Sequence, residues 1–446
     1  MLLPRAAWSQ SDPWAALPDL LARIVPPRIP RRDFVLTKYG TIRRAIDAAH
    51  RAGGGRVVIP EGEHLTGAIH LKSRVELHLA AGATLRFSRN PADYPLVHSR
   101  WEGVELMNYS PLVYAFECED VAVTGEGTLD GQADEEHWWP WKGLTTGKRA
   151  DVTKNNTTDP VPQLADRNRL FQQAEDGVPV AQRIYGAGHF LRPSFIEPYR
   201  CRNVLIEGVT IRNAPFWVMH PTLCTNVTVR GVQVISHGPN NDGCDPESCR
   251  DVLIEDCSFD TGDDCIALKS GRNADGRRLA TPVENVIIRN CEMKDGHGGI
   301  TIGSEITGGA RNVFAEKCRL DSPDLERALR IKTNTLRGGI VENVYVRDIE
   351  IGTVNLAPIE IDLRYEPRDS GPYIPEVRNI LVERMRSKKS KHGLYIRGLE
   401  QAPVRNVVIR DSAFRGVAAG HVIEGDVELT LDRVITEAAP PKGEKP

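Results

Sequence analysis

Along most of this chain, apolar and polar residues alternate in short runs, and the runs return as variants of one phrase. It reads CRNVLIEGVTI from Cys201, CTNVTVRGVQV from Cys224, CRDVLIEDCSF from Cys249 and VENVIIRNCEM from Val283. It continues as ARNVFAEKCRL from Ala310, VENVYVRDIEI from Val341, VRNILVERMRS from Val377 and VRNVVIRDSAF from Val404, with an earlier copy, CEDVAVTGEGT, from Cys118. Period-2 alternation of β-forming residues predicts strands with one buried face, paired about a central Gly or Asx. The copies recur every ~20–40 residues, too close for a crossover helix in each repeat and without helical periodicity between them. Such a chain is expected to coil its strands into an all-β solenoid, a right-handed single-stranded parallel β-helix with one continuous core. A propeller, the competing repeat architecture, needs four strands per blade and a steadier repeat length.

The flanking segments follow from the same pattern. TIRRAIDAAHRAGGG sets Ile42, Ile46 and Ala49 on one helical face and stops at Gly53, predicting an N-terminal helix that caps the open end of the solenoid against edge-to-edge pairing. RVVIPEGEHLTGAIHLKSRVELHLAAGATL, from Arg56, reads as the first coils. The expected organisation is a Pro- and Arg-rich arm over residues 1–32 with an amphipathic stretch from Trp14 to Ile24, a β-helix over 33–437, and a disordered tail over 438–446. The repeat vanishes between about 131 and 199, where Trp138, Trp139, Trp141 and NNTTDPVP mark a long insertion, more often functional than accidental in a compact solenoid.

Composition narrows the picture in only a few ways. The nine cysteines are odd in number and fall at recurring places in the phrase. Cys118, Cys201, Cys224 and Cys249 open copies, while Cys257, Cys291 and Cys318 close them, which predicts two stacked interior columns of free thiols and not a disulfide framework. With 57 Lys and Arg against 60 Asp and Glu, the net charge of −3 gives no global attraction to nucleic acid or an anionic membrane. No apolar run is long enough to cross a membrane, and the opening residues lack the pattern of a secretory leader.

The chemistry concentrates in the middle coils. Asp242 stands in Asn240-Asn241-Asp242-Gly243, and Asp263 and Asp264 are adjacent after Gly262. His297 lies between two glycines, Arg330 and Lys332 flank Ile331, and Tyr365 follows, each group about one coil beyond the last. Stacked at about 4.8 Å per coil, they should form one stripe, with the aspartates together and the basic pair two to three coils away, roughly 10–15 Å along the axis. Glycosidic hydrolysis needs one protonated carboxyl and one ionised one, and crowded carboxylates cannot all ionise, so one pKa is expected to rise and supply the acid. Arg330 and Lys332 suit a negatively charged sugar, and Lys269 is a further candidate substrate contact. Each residue has a structural alternative, since Asp and Asn at coil corners often bind turn backbone and a glycine-flanked His is often a turn residue. It is the shared register that favours a site.

In order and spacing, Asn-x-Asp, Gly-Asp-Asp, Gly-His-Gly and Arg-Ile-Lys resemble the motifs of the polygalacturonase family of glycoside hydrolases, over about residues 33–417. The resemblance implies a pectic oligo- or polysaccharide substrate, Asp263 as general acid, Asp242 and Asp264 activating water, and an inverting reaction without metal or cofactor. His297 would hold the protonation pattern of the acid, with Arg330, Lys332 and Tyr365 gripping the sugar; Asn240, like Lys269, is a further candidate for binding substrate. IGSEITGG from Ile302 resembles the exo-acting members, and the Trp-rich insertion would wall off one end of the groove. One departure is Asn241, where that family commonly has Thr. A monomer, secreted or periplasmic by substrate logic, is expected. A rhamnogalacturonan or xylogalacturonan hydrolase, a Ca²⁺-dependent pectate lyase and a non-catalytic pectin-binding β-helix remain the alternatives.

Overall fold

Each copy of the phrase forms a strand that pairs in parallel with the next copy, so equivalent residues stack. Val123, Ile206, Val229, Ile254 and Ile288 pair in succession, and Ala315, Val346, Val382 and Ile409 continue the column. The result is a right-handed parallel β-helix with a single interior core. The computed structural model describes residues 12–143, 161–366 and 370–440. The first residues of the arm, most of NNTTDPVP and the end of the expected tail lie outside them.

The Asn-Val step in the phrase has a specific physical basis. Asn203, Asn226, Asn285, Asn312, Asn343, Asn379 and Asn406 all adopt left-handed backbone, with φ between 50° and 61°, a conformation that Asn tolerates better than most residues. Their side-chain amides bond from coil to coil, Asn312 to Asn285 at 3.0 Å, Asn343 to Asn312 at 3.2 Å and Asn379 to Asn343 at 3.1 Å. The ladder satisfies these side chains near the start of the strand that opens each copy. The cysteine columns form as expected: the amides of Cys118, Cys201 and Cys224 each face the next Sγ at 3.3–3.4 Å, and all nine thiols are free.

The capping helix spans Ile42–Arg51, begins at Thr41 and buries Ile42, Ala45, Ile46 and Ala49 against the first coil. The amphipathic stretch before it forms a short helix, Leu17–Arg23, and does not hang free. Trp14, Leu17, Leu20 and Ile24 cover an outward-facing apolar column, Leu253, Ile287, Phe314, Tyr345 and Leu381. Those residues occupy polar-face positions of the phrase, and their apolar character is explained by the arm lying across them. Trp14 also donates its indole N–H to Glu383 at 3.0 Å and lies beneath the Arg347 guanidinium, 3.8 Å from the ring centroid.

Where the repeat breaks, the chain builds a second small core against the outside of the coils. An antiparallel hairpin, Leu96–Trp101 with Val104–Tyr109, packs with a 14-residue helix, Pro162–Glu175. Trp101, Leu106, Leu170, Tyr185, Leu191, Phe216 and Trp217 fill the space between them. Neither element was legible in the sequence. The helix has few apolar residues, and the hairpin lies between the first coils and the earliest copy of the phrase.

Candidate active site

The site lies on the face that carries the second, six-stranded sheet of the coils, from Ile266–Leu268 through Ile300–Ile302 and Arg327–Lys332 to Ala357–Asp362. On this face Ala267, Thr301, Arg330 and Glu360 stack in register. Gly243 N–H bonds to the Asp264 carbonyl and Cys265 N–H to that of Gly298, so Asp242, Asp264 and Gly298 lie on consecutive coils. Gly298 is required there: a Cβ would come within 2.2 Å of Thr301 Oγ1 and 2.8 Å of Asp264 Oδ1, filling the room that Asp264 uses.

Asp242, Asp263 and Asp264 converge, with one oxygen of each within 4.8 Å of the others. Asp263 is the most accessible of the three, while Asp242 and Asp264 are buried. The Gly-Asp-Asp turn is held locally, because Thr261 Oγ1 donates to the Asp263 carbonyl at 2.8 Å and the Asp264 N–H donates to Asp263 Oδ1 at 2.9 Å. His297 Nδ1 lies 3.1 Å from the same oxygen.

The basic pair is not set apart from the acids. Arg330 and Lys332 are two coils on, but their side chains slant back. Lys332 Nζ donates to Asp264 Oδ2 at 2.8 Å and Arg330 Nη1 to Asp264 Oδ1 at 3.3 Å, while Arg330 Nε holds Glu360 at 3.0 Å. The expectation of a 10–15 Å gap fails because it counted backbone rise and ignored the reach of two long side chains. The Tyr365 ring lies beside both cations, 5.5 Å from the Arg330 carbon and 5.3 Å from Lys332 Nζ.

Lys269 is not presented to a ligand. It is 2% exposed and meets Asp242 at 3.4 Å, Asp245 at 3.4 Å and Glu305 at 3.3 Å, with its ammonium 4.3 Å from the Trp217 ring centroid. Glu305 is shared with Arg272 at 3.2 Å, and Arg272 packs against Phe171 of the insertion helix. Asn240 accepts from Arg192 at 2.8 Å, and Arg192 also binds Gln163 of that helix. Asn241 is fully buried. Its carbonyl accepts from Ser236 Oγ and the Gly238 N–H, and its amide donates to the Ala214 and Phe216 carbonyls. The departure from Thr at this position therefore serves the turn that carries Asp242.

Asp245, Glu305, Trp217, Arg272 and Arg192 were missed as site residues. Glu305 stood inside IGSEITGG and Asp245 lies two residues beyond Asn240-Asn241-Asp242-Gly243, so a signal for Glu305 existed and one for Asp245 lay close by. The other three owe their place to the insertion and its core.

Electrostatics divides the carboxyls differently from the sequence expectation. Burial, then the charges of Asp263 and Asp245, push Asp242 well above the usual carboxylate range. Burial would raise Asp263 too, but the His297 imidazolium, with Lys332 and Lys269 beyond it, holds it well below that range. Asp264 is lowered against burial by Lys332 and then Arg330, and Asp263 in turn raises His297. The raised carboxyls are Asp242 and Asp245 behind it, while the acid expected from the resemblance sits against a cation.

Three convergent carboxylates also provide oxygen donors of the kind a divalent cation takes. Here Lys269, His297, Arg330 and Lys332 already offset them, which leaves little negative charge for a metal. Among the described residues a second group, His237, Asp260 and Asp295, has ligand spacing, with His237 Nε2 3.0 Å from Asp260 and Asp295 bonded to Ser322 at 2.5 Å.

Residues 188–425 match the model of glycosyl hydrolases family 28. A probable polygalacturonase of Vitis vinifera is 27% identical over 391 residues, covering 84% of this chain and 67% of the relative. An exo-poly-alpha-D-galacturonosidase of Dickeya chrysanthemi is 26% identical over 345 residues, covering 73% and 54%. The chain thus spans about half to two thirds of the length of these two curated relatives. Among solved structures, a hyperthermoactive exopolygalacturonase from Thermotoga maritima superposes with a TM-score of 0.88 at 43% identity, covering 94% of this chain and 95% of that one. With its family model matched over more than half its length and with this structural relative, the chain belongs to family 28 of the glycosyl hydrolases.

Proposed function

We propose that this enzyme hydrolyses α-1,4 bonds between galacturonate residues of pectic chains, acting from a chain end. The observation that carries the reading is the trio of aspartates with Arg330, Lys332 and His297 gathered on the same side. Arg330 and Lys332 each keep N–H groups beyond those given to Asp264 and Glu360, so a sugar carboxylate entering beside Tyr365 finds free donors. The 43% identical exopolygalacturonase supports the substrate class.

Asp263 is the proton donor in this reading, since it is the most accessible acid and shares a hydrogen bond with His297. The His297–Asp263 pair holds one proton in either of two arrangements, and Asp263 is competent when the imidazole is neutral. Asp242 and Asp264 then hold and activate the water. Their short spacing favours a second reading, because carboxyls about 5–5.5 Å apart mark retaining enzymes and larger gaps mark inverting ones. Against a covalent intermediate, Lys332 and Arg330 each engage one oxygen of Asp264, which lowers its nucleophilicity toward carbon while leaving lone pairs that accept from water.

The insertion supports end-on action. Its Trp139–Lys142 turn seats the Trp139 indole beside Gly238, with Trp139 Nε1 donating to the Ala214 carbonyl at 2.9 Å. Burial lowers the pKa of Lys142, whose ammonium also feels Glu102, Arg192 and Asp263. A wall beside the acid on one side fits a site that accepts a chain terminus. Product analysis on oligogalacturonates of defined length tests the reading: steady release of one small product from the first minutes is expected, and a ladder of intermediate lengths would show interior cleavage.

A further inference from the structure

Behind the three aspartates lies a fourth carboxyl that the catalytic reading does not use. Asp245 is fully buried, and neither of its oxygens has a hydrogen-bond donor in bonding geometry among the described residues. Its charged neighbours are Lys269 at 3.4 Å, Asp242 within hydrogen-bond reach and, farther off, Asp264. One coil below, His220 is turned away to Glu247 at 2.8 Å and Ser194 at 3.2 Å, and the residue one coil above is the uncharged Ala267.

The charges around Lys269 do not balance if every acid is ionised. One ammonium meets Asp242, Asp245 and Glu305, and Glu305 alone is shared with another cation, Arg272. Two adjacent carboxylates shut off from water resist a second negative charge, so a proton resides on the Asp242–Asp245 pair. The two are not equivalent: the Asp263 charge pulls the proton toward Asp242, whereas Asp245 is the more buried and has no donor in bonding geometry to offset an ionised oxygen. A proton on Asp245 would also turn its unbonded oxygen into a donor to Asp242, removing the unsatisfied group.

We propose that Asp245 is a positioning residue that works as a neutral carboxyl, donating its proton in a hydrogen bond to Asp242 so that Asp242 stays ionised with its other oxygen aimed at the attacking water. The proposal rests on the reading of Asp242 as a water-activating base. In the reaction, the water oxygen bonds to the anomeric carbon and the glycosidic C–O bond breaks. Asp263 gives its proton to the leaving oxygen, and Asp242 takes one from the water. Asp245 keeps its own proton throughout, and the region around Lys269 becomes less negative as Asp242 is neutralised.

The experiment compares Asp245→Asn, whose amide still donates, with Asp245→Ala, whose side chain cannot, in proteins shown to be folded by thermal melting. On trigalacturonate, D245N should keep at least about a tenth of kcat and D245A should lose roughly 100-fold, with KM changed less than about twofold in both. Infrared spectra without substrate should show a buried protonated-carboxyl band at neutral pH that both variants lose and that Asp263→Asn retains. A band that persists in D245N, a folded D245A with wild-type kcat, or equal losses in the two variants would overturn the proposal. If the wild-type protein releases no product from trigalacturonate while the band behaves as stated, the substrate reading fails and the assignment of the proton stands.

Discussion

Replacing Lys332 with Met separates what the basic pair does for the substrate from what it does for the enzyme. Lys332 is 6% exposed and holds Asp264 at 2.8 Å. Truncating one partner of such a buried pair costs roughly 2–5 kcal/mol. Arg330 remains on the other Asp264 oxygen at 3.3 Å, which places the expectation toward the lower end. That is about 2–3 kcal/mol, or a 30- to 160-fold loss in kcat/KM on free-acid oligogalacturonate. Two effects contribute and can be told apart. A sugar carboxylate loses a cation, so a methyl-esterified oligomer, neutral there, should lose about tenfold less. Asp264 also loses the larger of the two charges that hold its pKa down, so that pKa rises. A base that protonates at higher pH moves the acid limb of the kcat/KM profile upward. The assay is kcat/KM for both oligomers across pH. An equal loss on both substrates with an unmoved acid limb would refute the reasoning and reopen the question of which sugar is cut.

Further outcomes are expected on the same basis. Asp263→Asn should lower turnover by about 10²–10⁴ with the fold intact, and a folded variant above roughly a tenth of wild-type activity would remove Asp263 from the donor role. Early-time NMR of the products should show the inverted anomer; a retained one would establish a covalent intermediate in line with the short carboxyl spacing. His297→Gln removes the partner that shares the proton with Asp263, so the proton that the pair holds up to the raised pKa of His297 is left to Asp263 alone, and the alkaline limb should move down while kcat falls; a limb that moves up contradicts the pairing. Trp14→Ala empties the clasp over Phe314 and Leu381 and should cost about 3–5 kcal/mol of stability by thermal or denaturant unfolding, with activity per folded molecule unchanged; no loss of stability would show that the arm does not clamp the coils.

The sequence by itself determined the solenoid, because everything that specifies a coil is local and repeated. Alternation sets which face is buried, Asn343 and its equivalents form the ladder near the start of each copy, and Cys201 and Cys224 set the interior column. It determined three aspartates as candidates for a similar reason: Asp242, Asp263 and Asp264 sit on two consecutive coils, where spacing along the chain translates into spacing in space. What only the tertiary structure decided depends on side-chain reach and on segments outside the repeat. Arg330 and Lys332 lie two coils away by backbone and in contact by side chain. Lys269 reads as a surface lysine in its strand and is buried because Trp217 and the insertion's core close over it. Leu253, Ile287 and Phe314 occupy polar-face positions and are covered by an arm far away in sequence. Periodicity reports which way a residue points, whereas burial depends on what else is folded against that face, and no repeat encodes the return of a distant segment.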